Sequence, residues 1–178
     1  MIERHLSLLW LLALPAVAQL LEPPDLPAAA SSLDVNSIAG ARLKYHFLAV
    51  GKQIYHCQNG AWDSASTPDA LLTETHSNMT VHHQAGPSWT TFDGRSTIRA
   101  IGKSAVHFPA PDGVSIDWLK LDVERASRTG DFSDIAIIQR LFTGAGKPRH
   151  GGCSANQVYE SPYTAQYYFW ILPAHQGI

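Results

Sequence analysis

The stretch Ile116-Asp117-Trp118-Leu119-Lys120-Leu121-Asp122-Val123-Glu124-Arg125-Ala126 decides how the rest of the chain is read. Leu119, Leu121 and Val123 fall on one face, and Trp118, Lys120, Asp122 and Glu124 on the other. That period of two is a strand's, not a helix's. Downstream, Asp134 to Thr143 repeats it, with Ile135, Ile137, Gln139 and Leu141 opposite Ile138, Arg140 and Phe142. Tyr163 to Leu172 follows as an aromatic strand, reached through a basic Gly144–Gly152 loop. Upstream, short strands are expected at Gln53–Cys57, Ala61–Asp63, Met79–His83, Trp89–Phe92, Ser96–Ile101 and Ala105–Phe108. Asn59-Gly60, Gly86-Pro87, Asp93-Gly94 and Asp112-Gly113 punctuate them. Ser64 to Leu72 is turn-rich, with a helical turn expected at Pro68–Leu71. Many short strands between turn signals predict an all-β fold, a single-domain antiparallel β-sandwich or barrel over residues 41–178.

The chain has 178 residues, 45% apolar and 16% charged, with a formal net charge of −2. That length fits one domain, and the composition excludes a disordered chain. The 13 Lys and Arg are outnumbered by 15 Asp and Glu and form no basic run, which argues against a nucleic-acid partner. Two cysteines exclude a disulfide-dense miniprotein.

Residues 1–18 read as a secretory signal peptide. Arg4 lies in a short polar start, Leu6 to Leu14 is an apolar run, and Ala16-Val17-Ala18 is a small–x–small cleavage pattern. The run is too short to span a bilayer of roughly 30 Å. The expected mature protein is therefore secreted or in the secretory-pathway lumen, with no membrane segment. Residues 19–40, with Pro23, Pro24, Pro27 and Gly40, read as an extended, loosely held arm. In an oxidising compartment Cys57 and Cys153 are expected to pair. The alternative is one buried and one free thiol. The bridge would close a loop of about 100 residues, for which the loop-entropy model gives roughly 4–5 kcal/mol. Export also makes Asn78-Met79-Thr80 a candidate N-glycosylation site.

Several blocks together resemble one family. They are Gln53–Cys57 with Trp62, Val81–Trp89 followed by Asp93-Gly94, Asp117–Leu119, Ile138–Arg140 through Gly152-Cys153, and Pro162–Phe169. The chain resembles a secreted family of bacteria and fungi known as a domain of unknown function, whose fungal members are sometimes mislabelled malate dehydrogenase. Phe142 and Ala145 depart from the pattern, where smaller residues or glycine are expected. One fungal branch that looks like this chain implies a reaction. Its members join a tropolone-type ortho-quinone methide to humulene, a cyclic sesquiterpene, by hetero-Diels–Alder cycloaddition in meroterpenoid pathways. The resemblance thus implies small-molecule partners and no cofactor.

The residues themselves exclude other chemistries. Of nine histidines, only His82 and His83 are adjacent, and neighbours on a strand point to opposite faces. No His-x-His or His-Glu-x-x-His spacing occurs, so no metal is expected. No Gly-x-Ser-x-Gly elbow suggests a serine hydrolase, and no Gly-x-Gly-x-x-Gly follows a strand as a dehydrogenase requires. What remains suits an organic ligand. Trp89, Trp118, Tyr167 and Trp170 are candidate substrate-binding walls, with core packing as the alternative. His83, Lys120, Gln139, Arg140 and Tyr163 are candidate catalytic donors to the tropolone oxygens. Lys120 and Arg140 lie either on a solvated face or in a polar pocket. Gln139, between Ile137 and Leu141, and His83, beside Met79 and Val81, are expected to be buried and to need partners. His83 is also a candidate general acid for dehydrating a hydroxymethyl precursor. Two rivals stand beside the cyclase: a non-catalytic secreted protein binding a small molecule or glycan, and a copper or zinc oxidoreductase.

Overall fold

The computed structural model describes residues 21–173. The predicted leader lies outside them. Ten strands form one antiparallel sheet: β1 (Arg42–Gln58), β2 (Ala61–Trp62), β3 (Thr67–Glu74), β4 (Thr80–Gln84), β5 (Ser88–Thr91), β6 (Thr97–Ala100), β7 (Val106–Phe108), β8 (Trp118–Ala126), β9 (Ile137–Ala145) and β10 (Val158–Ile171). The order β10-β9-β8-β6-β5-β4-β3-β1 closes on itself, because β1 also pairs with β10. Of the two architectures left open, the chain adopts the barrel, which leaves no free edge along the closed path, while the short β2 and β7 each pair on one side.

The hinge of this closure is β1. Its register runs from Arg42 opposite Ile171 to His56 opposite Val158, while Phe47 to Ile54 pair on the other side with Glu74 to Thr67. Phe47, Ala49, Gln53, Tyr55 and Cys57 are buried, and the alternate Leu48, Val50 and His56 are exposed. Gly51 lies where β1 and β3 approach most closely: a Cβ there would sit 2.3 Å from the Asp69 carbonyl oxygen. Only glycine allows that contact. The helical turn expected at Pro68–Leu71 is strand instead, because these residues pair with Gln53–Val50 of β1. Tertiary pairing overrides a local turn signal.

Two apolar clusters organise the molecule. Inside the barrel, Phe47, Leu72, Val81, Trp89, Ile98, Leu121, Ile138, Tyr167 and Phe169 pack together. Phe132, from the loop before β9, joins them against Tyr45 and Phe169. Outside it, Trp118, Ile137, Leu141, Tyr168 and Trp170 pack beneath residues 28–35. The segment expected to be a loose arm is therefore docked. It forms a short 3-10 helix, Ala28–Leu33, and Ala30, Leu33 and Val35 are fully buried. The reason is apolar: without this cover, two tryptophans on the outer barrel surface would face water. The cover also explains why Tyr167 to Trp170 are buried without alternation. Their inner neighbours face the barrel core and their outer neighbours face the arm.

Phe142 (φ 49°) and Ala145 (φ 59°) take the left-handed conformation. The β9–β10 register shifts in this stretch, between Thr164 and Gln166. These are the two positions where the sequence departs from the smaller residues expected there, and left-handed φ is the physical reason glycine would be favoured.

Cys57 and Cys153 are bonded, with Cα atoms 5.8 Å apart. Among the described residues no helix is long and apolar enough to cross a membrane. Asn78 is exposed between β3 and β4.

Candidate functional site: a cavity at one end of the barrel

Side chains fill one end of the barrel, and the other holds a cavity of about 820 Å³. Its inner wall comes from alternate positions of the strands: Gln53 and Tyr55 on β1, His83 on β4, Trp89 on β5, Leu119 and Leu121 on β8, Arg140 on β9 and Tyr167 on β10. The mouth is formed by Trp62 to Pro68, Ala85 to Pro87, His107, Asp117, Lys147 and Pro148. The disulfide ties the loop after β9 to the end of β1, close to this mouth. Arg149 lies 5.4 Å from the ring centroids of both Trp62 and Tyr159.

The wall has an aromatic core. His83 stacks on Trp89 with centroids 4.4 Å apart and planes within 1°. Tyr167 meets both edge-on, at 5.4 and 6.0 Å. His83 Nδ1 lies 3.0 Å from the Ser88 carbonyl oxygen, so it is the protonated nitrogen and Nε2 carries the lone pair. Burial, with help from the nearby Arg140 cation, pushes the His83 pKa down to about 3. The ring is neutral at physiological pH. This corrects its expected role as a general acid: a group that holds no extra proton cannot supply one. Tyr163 and Tyr167 hydroxyls are 3.3 Å apart, and burial raises the pKa of each. Both stay protonated as donors.

Arg140 is the cationic centre of the cavity. Its Nε and Nη2 donate to the Asp117 backbone carbonyl at 3.2 and 2.9 Å. No carboxylate lies within ion-pairing distance of it among the described residues. Asp117 turns its own carboxylate toward His107 Nδ1, at 3.4 Å. Three lining residues carry a buried donor with no close hydrogen-bond partner, Gln53 Nε2, Trp62 Nε1 and Trp89 Nε1, and Trp118 Nε1 on the outer surface is in the same state. Gln53 is 1% exposed, with Oε1 accepting from Ser66 Oγ at 2.5 Å, and Trp89 is fully buried. Buried polar groups in folded proteins are nearly always paired, so such donors need an explanation.

The sequence-predicted candidates divide between the two sides of the sheet. His83, Trp89, Arg140 and Tyr167 line the cavity. Tyr163 lies inside the barrel, bonded to Tyr167 but outside the lining set. Lys120, Gln139, Trp118 and Trp170 do not reach the cavity. They lie on the outer surface, under or against the docked segment. Lys120 Nζ donates to the Ser32 carbonyl at 2.6 Å, and Gln139 Nε2 to the Leu33 carbonyl at 2.6 Å. Trp170 Nε1 donates to Gln139 Oε1 at 2.6 Å. The polar partner that Gln139 needed is this tether. Gln53, Tyr55, Trp62, His107 and Asp117 also line the cavity, with no catalytic motif in the sequence to mark them. A usable signal existed for Gln53: it shares a strand face with Tyr55 and Cys57, so it is a polar group on an inward face.

No group of three or more metal-ligating side chains converges among the described residues. Residues 38–171 match the family described as Protein of unknown function (DUF3455), and the chain belongs to that family. No curated protein and no solved structure matches it.

Proposed function

We propose that this DUF3455 barrel is an exported, cofactor-independent cyclase. It joins a tropolone-type ortho-quinone methide to a humulene-type sesquiterpene by hetero-Diels–Alder cycloaddition. The likeness of the sequence blocks to the fungal cyclases motivates the reaction, and the cavity carries the reading. Its volume of about 820 Å³ lies within the roughly 300–1,000 Å³ of organic-ligand sites. Its walls combine an apolar and aromatic surface with a small set of fixed donors.

The reaction needs little else. The quinone-methide oxygen bonds one alkene carbon and its methylene carbon bonds the other. Two σ bonds form, and no proton, hydride or electron leaves. Holding both reactants in register can supply several kcal/mol. Trp89, Leu119, Leu121 and Tyr55 would confine the hydrocarbon. Arg140 would polarise the carbonyl, its guanidinium already held in place by the Asp117 carbonyl. The leader-like start and the disulfide support the export part of this reading. Asn78, in a sequon and exposed, would carry the glycan.

Incubation of purified protein with humulene and a hydroxymethyl-tropolone precursor tests the reading. A single enriched stereoisomer, formed faster than without protein, is expected. Arg140→Met should slow it about 100–1,000-fold, the scale of losing a preorganised donor. Yield and stereochemistry equal to the protein-free control would overturn it. Saturable binding of both reactants without adduct would indicate the rival, a secreted small-molecule binder.

A further inference from the structure

The inner end of the cavity is built from donors. Among the described residues Arg140 contributes a cation without a carboxylate partner, while Gln53 Nε2, beside the Tyr163 hydroxyl, and Trp89 Nε1 are enclosed in the wall behind it. Tyr167 adds a hydroxyl. A partly buried guanidinium without a counter-charge is costly. A neutral hydrocarbon does not satisfy it. A neutral carbonyl offers two lone pairs and no charge. A delocalised oxyanion offers both charge and several acceptor sites, and charge-assisted hydrogen bonds are roughly twice as strong as neutral ones.

We propose that this end of the cavity is an oxyanion site, which binds the oxygenated ring of the ligand as its enolate or tropolonate, with the charge against Arg140. The inference rests on the function proposed above for the ligand's ring class, but not for its charge. It is also compatible with the cycloaddition. When a hydroxymethyl-substituted anion loses hydroxide, the C–O bond to the leaving group breaks with its electron pair. The ring oxygen becomes a carbonyl, and the neutral quinone methide remains against the same donors.

Other ionisable groups face the cavity and bear on any pH dependence. His83 on β4 is neutral, and Tyr55 on β1 and Tyr167 on β10 have raised pKa values, as does Tyr163 behind Tyr167. At the mouth are His107 on β7, Asp117 ahead of β8, Asp63 after β2 and Lys147 after β9. The discriminating measurement therefore compares two ligands rather than relying on pH alone.

Isothermal titration of the full chain with tropolone, and with its methyl ether 2-methoxytropone, gives that comparison. Above the pKa of tropolone, the wild-type protein is expected to prefer tropolone by about tenfold or more. Below that pKa the tropolone affinity should fall about tenfold per pH unit, while the ether's stays level. Arg140→Met should bind the two equally, and Arg140→Lys should retain part of the preference. Equal binding to the wild-type protein, or full preference in Arg140→Met, would overturn the site. The wild-type pair decides the matter even if the variants fail to fold. Adduct formation without anion preference would sink the oxyanion site and spare the cyclase; preference without adduct would do the reverse.

Discussion

At the scale of single residues, His83 shows how position sets chemistry. Its ring is 2% exposed, stacked on Trp89 and fixed by the Ser88 carbonyl. Its pKa falls from the ordinary 6.5 to about 3, chiefly because burial disfavours the charged form. Between those values the unfolded chain takes up a proton that the native barrel refuses. Stability is then greatest above about pH 6.5 and declines as the pH falls toward 3. A loss of up to a few kcal/mol is expected over that window. Urea midpoints near pH 7 and near pH 4 should show it in the wild-type protein and show a smaller drop in His83→Gln. An identical drop in both would refute the assignment. The burial of His83 was legible, since Met79 and Val81 share its strand face. Its neutral state was not, because complete desolvation requires the strands that close around the ring, among them β5 and β10, which the strand's own pattern does not contain.

Among the structural elements, the docked segment and β9 belong together. Period two assigned Gln139 to the face of Ile137 and Leu141, and the structure keeps that grouping. The pattern carries no sign, however. It says which residues share a face, not which face looks into the barrel. On β9 and β10 both faces are apolar, so either could have been inside. The segment at residues 28–35 resolves this by covering one of them. Leu33 is its central anchor, fully buried and bonded through its carbonyl to Gln139. Leu33→Ala is expected to cost about 2–5 kcal/mol, the range for a buried leucine that leaves a cavity. Thermal unfolding should report it as a lower Tm with a cooperative transition retained. An unchanged Tm would mean that the segment is not part of the core. Its Pro-rich start concealed this role, since three prolines read as a tether regardless of what the following Ala-Ala-Ala-Ser-Ser-Leu packs against.

Across the whole molecule, the Cys57–Cys153 bond spans a sequence separation of 96 residues. It joins the end of β1 to the loop that carries Lys147, Pro148 and Arg149 over the cavity mouth. Replacing both cysteines by alanine is expected to lower stability by roughly 4–5 kcal/mol, the loop-entropy value for such a span. Guanidinium midpoints of the two proteins, measured without reductant, check this. A difference below about 1 kcal/mol would show that the unfolded chain without the bridge is already restrained, so that the loop-entropy value does not apply.

The sequence by itself determined most of the strands, because alternation and turn residues act locally and survive in any all-β arrangement; β3 and the first half of β1 emerged only from their pairing. It also determined the pairing of two cysteines that have no other partner. Only the tertiary structure decided that the sheet closes into a barrel, since closure requires β1 to pair with two strands from opposite ends of the chain. The same closure divided the candidate residues. It turned His83, Trp89, Arg140 and Tyr167 toward a common cavity, and Lys120, Gln139, Trp118 and Trp170 toward the docked segment. Inward and outward are properties of the closed sheet, and no single strand contains them.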